Sequence, residues 1–367
     1  MRALVVTVVH HPEDSRIRHR QIAALLDAGW DVTYAAPFTG YGIENSVDPR
    51  VQCVDLPRAS GRRRLAALRA ARSLLRDRAA QQNVVLLHDP ELLAATVGLK
   101  LPPVVWDVHE DTAAAVTLKP WLPRPVRPVV SWIFTRVEWL AERHFDLILA
   151  EYAYQDRFRE QHLVVPNVNR VPHMVPPPDR PRATYVGSIT RARGADELVA
   201  AARQVAVKTD GALKFQIIGP ASDHVADALR NAADEGVLEW SGFLPADQAM
   251  ERLSGSMAGL SLLHDEPNYR VSLPTKVVEY MANGVPVVTT PLPLARELVE
   301  EVGCGVVVPF GDAAATAEAI LELWSDPQRR QQMGAAGHQV AQERYDWSKH
   351  AASFVSELTR IASTKSN

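Results

Sequence analysis

The sequence predicts an α/β protein made of two doubly wound, parallel-sheet domains. Short runs rich in Val, Ile and Leu alternate with helical patterns along the chain. Continuous apolar strands between helices are typical of a parallel sheet that is covered on both faces. The alternation occurs as two series separated by a proline-rich stretch, and 367 residues are many for one hydrophobic core.

Each series predicts its own sheet. In the first, five strands are expected at 3–9, 31–37, 84–89, 103–110 and 147–151, and helices at 16–29 and 62–80. In the second, six strands are expected at 183–189, 213–219, 237–244, 257–263, 285–290 and 305–309. The repetition of the pattern indicates two domains of the same architecture.

The proline-rich stretch sets the expected domain boundary. Residues 165–182 contain six prolines, which cannot continue either sheet and predict a stiff connector. We therefore expect an N-terminal domain at 1–165, a linker at 166–182 and a C-terminal domain at 183–346. A final helix at about 347–364 has large apolar side chains spaced to bury one face, and we expect it to pack back on the first domain: Trp347, Phe354, Leu358 and Ile361.

The composition narrows the class of protein. An apolar fraction of 47% and a charged fraction of 23% are those of a globular protein, and a net charge of −3 does not suggest nucleic-acid binding. The two cysteines, Cys53 and Cys304, have no metal-ligand spacing and fit a reducing compartment. The first apolar run is too short for a secretory signal, and no run reaches 18 apolar residues. We expect a cytoplasmic location.

Glu279 is unusual because it lies in an otherwise apolar helix, expected between Pro274 and Gly284. The polar residues of this helix form one stripe: Thr275, Lys276, Glu279 and Asn283. One interpretation is a solvated stripe with a Lys276–Glu279 pair. The other is a stripe that faces a binding cleft, where the carboxylate accepts hydrogen bonds from ribose hydroxyls. The position beside the strand at 285–290 favours the second, because ligands bind outside the carboxyl ends of parallel strands.

The stretch SLPTKVVEYMANGVPVV, residues 272–288, resembles the C-terminal signature of the family-4 retaining glycosyltransferases. Four more segments resemble parts of that family: VHHPEDSRIRHRQIAALLDAGWDVTYAAP, LLHDPELL, VVWDVHED and YVGSITRARGADELVAAA. The resemblance implies the GT-B architecture, two Rossmann-like domains facing across a cleft, and a nucleotide-sugar donor whose ribose Glu279 holds. It favours UDP over GDP as the nucleotide.

The chain departs from the family pattern at Val271, where many members carry a second glutamate. A donor-sugar contact must then come from other groups, and the candidates are Ser272, the backbone around Leu273–Thr275, Asp265 and Glu266.

Residues 187–198, GSITRARGADEL, are expected to hold the diphosphate, because they form a strand end, an arginine-containing loop and a helix start. The family usually has an arginine directly after Gly187 and a lysine before the next glycine. This chain has Ser188 and Arg193 there, so the first cation is missing unless Arg191 replaces it. A guanidinium suits bidentate phosphate contacts, which favours Arg193. The alternative is that both arginines are ordinary surface charge.

The nucleobase is expected at residues 240–245, WSGFLP. Gly242 allows the backbone to approach closely, and Phe243 or Leu244 can cover one face of a base. The identity of the base does not follow from these residues.

Histidines end three strands of the first domain: His10 and His11, His88, and His109. Parallel strand ends share one edge of a sheet, so these side chains are expected near one another. Their spacing does not support a metal site over independent roles, and we expect no metal. The resemblance implies that His109 contacts the donor sugar beside the reacting carbon and helps to stabilise its developing charge.

The first strand is followed by HHPEDSRIRHR and lacks the glycine-rich turn of NAD-binding domains. This counts against an NAD-dependent oxidoreductase and suggests a polar loop that meets an acceptor. The acceptor candidates are His10, His11, Asp14, Arg16, Asp89 and Glu110.

The implied reaction is transfer of a hexosyl group with retention of anomeric configuration. No residue stands out as a nucleophile, which fits a front-face reaction in which the leaving phosphate helps to deprotonate the acceptor hydroxyl. His109, Arg193 and Lys276 are the catalytic candidates, and no metal or other cofactor is required, since cationic side chains and helix dipoles can stabilise the leaving diphosphate.

Two segments, 62–78 and 118–143, combine arginines with leucines or aromatic residues. Such mixtures suit a lipid headgroup interface, which would place the protein peripherally at the inner face of a membrane. Amphipathic helices that cover a sheet would look the same.

Two further functions remain open. A GT-B nucleotide-sugar 2-epimerase would share the fold and use carboxylates near His109 as acid and base. A two-domain binding protein would close on a small molecule, but exported versions should begin with a signal peptide and would not explain Glu279 and Arg193 together.

Overall fold

The computed structural model describes residues 1–43, 50–109 and 126–364, apart from the side chains of residues 127, 128, 131, 134 and 223. The acceptor candidate Glu110 and the first part of the predicted membrane segment 118–143 lie outside these residues. The chain divides into two compact units. Unit 1 comprises Met1–Asn167 and Trp347–Asn367, and unit 2 comprises Val168–Asp346.

Unit 1 contains a seven-stranded parallel sheet with the order β3-β2-β1-β4-β5-β6-β7. Its strands are β1 Arg2–Val6, β2 Asp31–Ala36, β3 Val51–Asp55, β4 Val84–Leu87, β5 Val104–Val108, β6 Asp146–Leu149 and β7 Leu163–Val164. Its helices are α1 Ala23–Asp27, α2 Arg64–Arg78, α3 Leu92–Thr96, α4 Arg127–Glu142 and α13 Trp347–Thr364, and a π-helical segment, Ile17–Ile22, leads into α1.

Strand β1 shows why the sheet of unit 1 is apolar on both faces. Its side chains alternate between two hydrophobic cores, with Leu4 and Val6 in the core under α2 and α3. Ala3 and Val5 face the second core, which contains the apolar face of α13. Helix α13 therefore packs in unit 1, as its spacing of apolar residues predicts.

Two strands of unit 1, β3 and β7, were not predicted. Strand β3 is an edge strand with the mixed sequence VQCVD, and β7 is an edge strand of two residues. Edge strands bury only part of their surface, so they lack the continuous apolar run on which the prediction depended.

Unit 2 contains a six-stranded parallel sheet with the order β10-β9-β8-β11-β12-β13. Its strands are β8 Arg180–Val186, β9 Lys214–Ile218, β10 Leu238–Trp240, β11 Ser256–Ser261, β12 Val287–Thr289 and β13 Gly305–Val307, all within or next to the predicted runs. Its helices are α5 Ala195–Lys208, α6 Asp223–Asp234, α7 Ala246–Leu253, α8 Pro267–Arg270, α9 Thr275–Ala282, α10 Pro293–Val302, α11 Ala313–Ser325 and α12 Pro327–Arg344.

The predicted linker at 166–182 is not a separate segment. From Val168 onwards it belongs to unit 2. Val171 is buried in the core formed around α9, and the Arg330 guanidinium of α12 donates to the Pro178 carbonyl at 2.7 Å. Prolines fix the backbone of this stretch while its side chains and carbonyls pack on unit 2.

Both sheets reverse their strand order at one place. In unit 1 this topological switch point lies between β1 and β4, and in unit 2 between β8 and β11. The carboxyl ends of the strands at such a point are where open α/β sheets bind ligands. None of the helices that the structure describes has the length and apolarity needed to cross a bilayer.

Candidate functional site

The residues that follow β8 and β9, Gly187 and Gly219, are two glycines in close contact. Gly187 has φ +123° and donates its N–H to the Ile218 carbonyl at 2.8 Å. A Cβ atom on Gly219, whose φ is +143°, would lie 2.0 Å from the Gly187 carbonyl oxygen. Both positions therefore favour glycine, which lets the ends of β8 and β9 approach closely next to the switch point.

The loop after β8 is held by its arginine and by the end of β11. The Ser188 carbonyl accepts hydrogen bonds from the Tyr185 hydroxyl at 2.8 Å and from Arg193 Nη1 at 3.2 Å. Gly194, with φ +83°, lies so close to Leu262 that a Cβ atom would be 2.4 Å from the Leu262 carbonyl oxygen. Helix α5 begins at the next residue, so its free N–H groups lie beside this loop.

The two arginines of the loop have different surroundings. Arg193 is half-buried, whereas Arg191 is exposed and pairs with Asp196 at 3.5 Å. An exposed pair of this kind contributes little energy. Arg193 is therefore the better placed cation for an anion at the end of β8.

Helix α9 is fixed to the ends of both switch-point strands through Tyr280. The Tyr280 hydroxyl donates to the Leu260 carbonyl at 2.9 Å and accepts from the Val186 N–H at 3.2 Å. Its ring covers Gly259, where a Cβ atom would lie 2.3 Å from the ring carbon Cγ. Glycine in the middle of β11 thus lets the helix that carries Lys276 and Glu279 lie close to the sheet.

Lys276 is buried, with 8% of its surface exposed. Its Nζ lies 3.8 Å from the centroid of the Tyr185 ring and has no hydrogen-bond partner among the described residues. Burial lowers the pKa of Lys276 to about 7, with a further lowering from the Arg193 charge and an opposing effect of Glu279. The interpretation of this helix as a solvated polar stripe is therefore wrong for Lys276.

Glu279 lies one turn after Thr275 and is half-buried. Its Oε1 accepts a hydrogen bond from Asn169 Nδ2 at 3.2 Å, and its carbonyl accepts from Asn283 Nδ2 at 2.8 Å. The carboxylate is thus neither turned fully to solvent nor enclosed, which leaves it accessible to a polar ligand.

The base-binding candidates lie after β10. The Gly242 carbonyl accepts from the Gly219 N–H at 2.7 Å, so this turn contacts the glycine pair after β8 and β9. Phe243 is 75% exposed and Leu244 is half-buried. A base stacked here would cover an aromatic ring that is otherwise exposed to water.

The candidates for a donor-sugar contact in place of a glutamate at position 271 have different surroundings. Val271 is exposed, Ser272 Oγ donates to the Asn268 carbonyl at 3.3 Å, and Leu273 is half-buried before the exposed Thr275. The Asp265 carboxylate is occupied by Arg270 in a two-point ion pair at 2.6 and 2.7 Å.

One pair in this region was not predicted. His264 Nε2 lies 3.1 Å from Glu197 Oε1, in the first turn of α5, and the His264 N–H donates to the Ala192 carbonyl at 2.9 Å. These contacts connect the loop after β11 to the arginine-containing loop. Residues 67 apart in the chain give no local signal of such a contact.

In unit 1, Asp89 lies at the switch point and organises the turn after β1. It is buried and accepts hydrogen bonds from the Thr7 hydroxyl at 3.0 Å and from the N–H groups of Val8 and Val9. His10 Nε2 lies 3.3 Å from its Oδ1. Asp89 therefore holds the loop that replaces a glycine-rich turn, rather than lining a pocket as predicted.

Asp107, inside β5, is a second buried carboxylate. Arg16 contacts both of its oxygens, at 2.6 and 2.8 Å, and Gln21 donates to it at 3.0 Å. His88 and His109 each direct Nδ1 to Oδ2 at 3.2 Å. Burial would raise the pKa of the Asp107 carboxyl, but the Arg16 guanidinium and the histidine hydrogen bonds hold it well below its usual range.

Arg16 was predicted to meet an acceptor, and this is wrong. Its side chain is 4% exposed, and it also donates to the Val165 carbonyl at 2.8 Å. The guanidinium is enclosed because it neutralises Asp107. Asp14 has a structural role as well, since its Oδ1 accepts from the N–H groups of Arg16 and Ile17 at 2.9 and 3.0 Å.

The histidines lie together as expected, except His11, which packs edge-on against Tyr41 at 4.8 Å. His109 Nε2 is 2.8 Å from His10 Nε2, and its ring stacks on His88 at 5.5 Å. A carboxylate can only accept, so His109 donates from Nδ1 to Asp107. Burial lowers the pKa of His88 and favours its neutral form.

The ligand atoms of His88, Asp107 and His109 lie within 4.8 Å of one another, a spacing at which a metal ion can be held. However, the Arg16 guanidinium already contacts both Asp107 oxygens. A divalent cation would lie beside this buried positive charge, so the donor set fits an ion pair better than a metal.

Comparison with known proteins shows which proteins the chain is similar to. Residues 173–340 match the family described as Glycosyl transferases group 1. The chain is 37% identical over 90 residues to the phosphatidyl-myo-inositol mannosyltransferase of Mycobacterium leprae, covering 24% of each chain. It is 30% identical over 198 residues to the alpha-maltose-1-phosphate synthase of Mycolicibacterium smegmatis, covering 50% of this chain and 49% of the relative. The matches thus span half or less of these curated relatives.

Solved structures resemble the chain over nearly its whole length. The sucrose-phosphate synthase of Thermosynechococcus elongatus has a TM-score of 0.73 at 18% identity and covers 98% of both chains. Anabaena HepE in complex with UDP-glucose has a TM-score of 0.70 at 15% identity and covers 98% of this chain and 100% of its own. The family match covers less than half of the chain, and the two parallel-sheet units have the GT-B fold.

Proposed function

We propose that the chain is a retaining glycosyltransferase that moves a hexosyl group from a nucleotide sugar, with a UDP-sugar favoured. The acceptor is a hydroxyl of a glycan, of a lipid-linked molecule or of a small molecule. The observation that carries the proposal is the arrangement at the switch point of unit 2. Buried Lys276 and half-buried Glu279 lie on one helix beside the loop that carries Arg193.

The charges of this arrangement suit a nucleoside diphosphate. Lys276, Arg193 and the N–H groups that begin α5 supply positive charge and donors for two phosphates. Glu279 supplies an acceptor for ribose hydroxyls, and the turn at Gly242 and Phe243 supplies a surface for the base. Anabaena HepE, which shares the fold, was solved in complex with UDP-glucose, and this supports the preference for UDP.

In the proposed reaction the glycosidic C–O bond to the diphosphate breaks as the acceptor oxygen bonds to the same face of the sugar. The acceptor proton passes to the leaving phosphate, and the cations stabilise the charge that develops there. Metal is not required for this role. We assign acceptor binding to unit 1, where hydrogen bonds link Asp107 to His109 and His109 to His10.

A panel of nucleotides and nucleotide sugars tests the proposal. Thermal unfolding with UDP, GDP and their sugar derivatives should show stabilisation by a uridine ligand, about 2.7 kcal/mol at 100 times its dissociation constant. Activity with a UDP-sugar should persist in EDTA, and NMR should show a product with the anomeric configuration of the donor. No stabilisation by any nucleotide, or an inverted product, would contradict it.

The 2-epimerase is the second candidate, because carboxylates and histidines lie together around Asp107. An epimerase would form a different product from a glycosyltransferase. Incubation with a nucleotide sugar and no acceptor would interconvert the free nucleotide sugar in an epimerase, whereas a transferase would leave it intact apart from slow hydrolysis.

We also propose peripheral contact with a membrane at its cytoplasmic face. Large apolar side chains are exposed along α4: Val129, Trp132, Ile133, Val137 and Leu140. The Arg136 guanidinium lies 5.0 Å from the centroid of the Trp132 ring, and Arg62–Arg64 before and within α2 are exposed. Exposed apolar and aromatic side chains near arginines suit an anionic headgroup layer.

Co-sedimentation with vesicles measures this contact. The protein should bind phosphatidylglycerol vesicles at low salt and bind phosphatidylcholine vesicles less. Ile133→Asp and neutralisation of Arg62–Arg64 should each reduce binding several-fold. Val207→Asp is the matched control, since Val207 is 83% exposed on α5 in unit 2. Failure of the unaltered protein to bind at low salt would refute the contact.

A further inference from the structure

Lys276 is held in an unusual place for an amine. Its Nζ has no hydrogen-bond partner among the residues that the structure describes, and it lies on the face of the Tyr185 ring. The Tyr185 hydroxyl is directed elsewhere, to the Ser188 carbonyl. A Cβ atom on Gly187 would lie 3.6 Å from the amine, which places the strand-end loop next to Lys276. A buried ammonium without acceptors is costly.

The charged and titratable groups around Lys276 come from three elements. Tyr185 belongs to β8, Arg193 to the loop after β8, and Glu279 and Tyr280 to α9. Burial, together with the Arg193 charge, favours the neutral amine and lowers the pKa of Lys276 to about 7. Burial raises the pKa of both tyrosine hydroxyls above their usual value, so neither ionises near neutral pH.

Three features therefore meet at one point: an amine that lacks an acceptor among the described residues, a nearby arginine charge, and the strand-end loop at Gly187. Ser188 occupies the position where the family resemblance implies a cation, and of the two arginines in the loop Arg191 is exposed and pairs with Asp196 while Arg193 donates to the Ser188 carbonyl. An anion in the loop would give the amine both an acceptor and a compensating charge.

We propose that Lys276 is the second cation of the diphosphate site, in place of the one that Ser188 does not supply, and that it takes up a proton when a diphosphate binds. The inference rests on the proposed function, since it assigns the ligand of the same site. The step is a simple protonation: the neutral amine gains one proton from solvent and becomes an ammonium paired with phosphate oxygens. No bond of the ligand is made or broken.

Isothermal titration with UDP measures the proton directly. Between pH 7.5 and 8.5 the phosphates of free UDP are already ionised, because the second phosphate pKa is about 6. A proton taken up on binding must then come to the protein. The affinity of the unaltered protein should fall by between about five- and tenfold over this unit of pH. At pH 8.5 the binding heat should vary with the ionisation enthalpy of the buffer, as expected for uptake of close to one proton.

Variants assign the proton to this side chain. Lys276→Met should bind UDP more weakly, with the same affinity at both pH values and no dependence of the heat on the buffer. Methionine fills the same apolar space, so thermal unfolding should show a folded protein. Lys276→Arg keeps its charge and should also respond little to pH. Lys214→Met, which removes a lysine that donates to the Gly236 carbonyl, should behave as the unaltered protein does.

Three outcomes would overturn the inference. In the first, the unaltered protein binds UDP, but its affinity changes less than twofold between the two pH values and the binding heat does not depend on the buffer. Another is a full pH response in Lys276→Met. Either result would leave the proposed glycosyltransferase intact, whereas the third, no UDP or GDP binding at either pH, would remove the donor site and this inference with it.

Discussion

Replacing Asp107 with alanine should lower the free energy of unfolding by about 3–5 kcal/mol, because it leaves the buried Arg16 guanidinium without its counter-charge. Both side chains are almost fully enclosed, and Arg16 contacts both carboxylate oxygens. His88, His109 and Gln21 lose their common acceptor at the same time. Equilibrium urea unfolding of the full chain, monitored by tryptophan fluorescence and circular dichroism, measures the loss.

Two variants separate the charge from the general cost of substitution. Asp31→Ala changes an exposed aspartate at the start of β2 and should alter stability by less than about 0.5 kcal/mol. Asp107→Asn keeps the shape of the side chain but removes its charge. Its loss in free energy of unfolding should lie between those of Asp31→Ala and Asp107→Ala. A loss below about 1 kcal/mol for Asp107→Ala would mean that this pair does not hold the strand ends of unit 1 together.

The pH dependence of the same pair has a defined sign. The pKa of Asp107 is lower in the folded protein than in the unfolded chain. Its contribution to stability is therefore complete above the unfolded pKa of about 3.9 and is lost as the pH falls through the lower, folded value. At neutral pH the cost of Asp107→Ala should consequently not depend on pH.

Replacing Glu279 with alanine should weaken UDP binding by between about ten- and a hundredfold. Hydrogen bonds that involve a charged group contribute about 1.5–3 kcal/mol, which corresponds to this range of affinity. The carboxylate is half-buried at the switch point and already accepts a hydrogen bond from Asn169, so the site is suited to neutral donors such as ribose hydroxyls. Titration calorimetry with UDP measures the change.

Glu318→Ala is the control for this substitution, because Glu318 is exposed on α11. It should leave UDP affinity unchanged, and thermal unfolding should show that both variants are folded. Equal affinity for UDP in Glu279→Ala and the unaltered protein would show that the ribose lies elsewhere.

The sequence predicted the parts of the fold that bury continuous apolar runs. All six strands of unit 2 lie within or next to the predicted apolar runs, and helix α9 lies between Pro274 and Gly284 as predicted. The edge strands β3 and β7 were not predicted, because β3 is of mixed polarity and β7 contains two residues. Apolar patterning therefore found the centres of both sheets and missed the edges of one.

The polar sites were harder to predict because their partners are distant in sequence. That Asp107 and Arg16, 91 residues apart, form a buried pair has no local signature. The polar loop after β1 predicted Arg16, and the end of β4 predicted Asp89, as acceptor contacts, whereas the structure shows both side chains buried in internal hydrogen bonds. The structure places the residues of the predicted polar stripe in different environments, and the burial of Lys276 depends on Tyr185, which comes from a strand.

The central claim is that Glu279 holds the ribose of a bound nucleotide, and the affinity for UDP compared with 2′,3′-dideoxy-UDP tests it most directly. Removal of the two hydroxyls should weaken binding to the unaltered protein by between about ten- and a hundredfold, and binding to Glu279→Ala by less than about threefold. An equal loss in both proteins would show that the hydroxyls and this carboxylate do not interact, and would contradict the account.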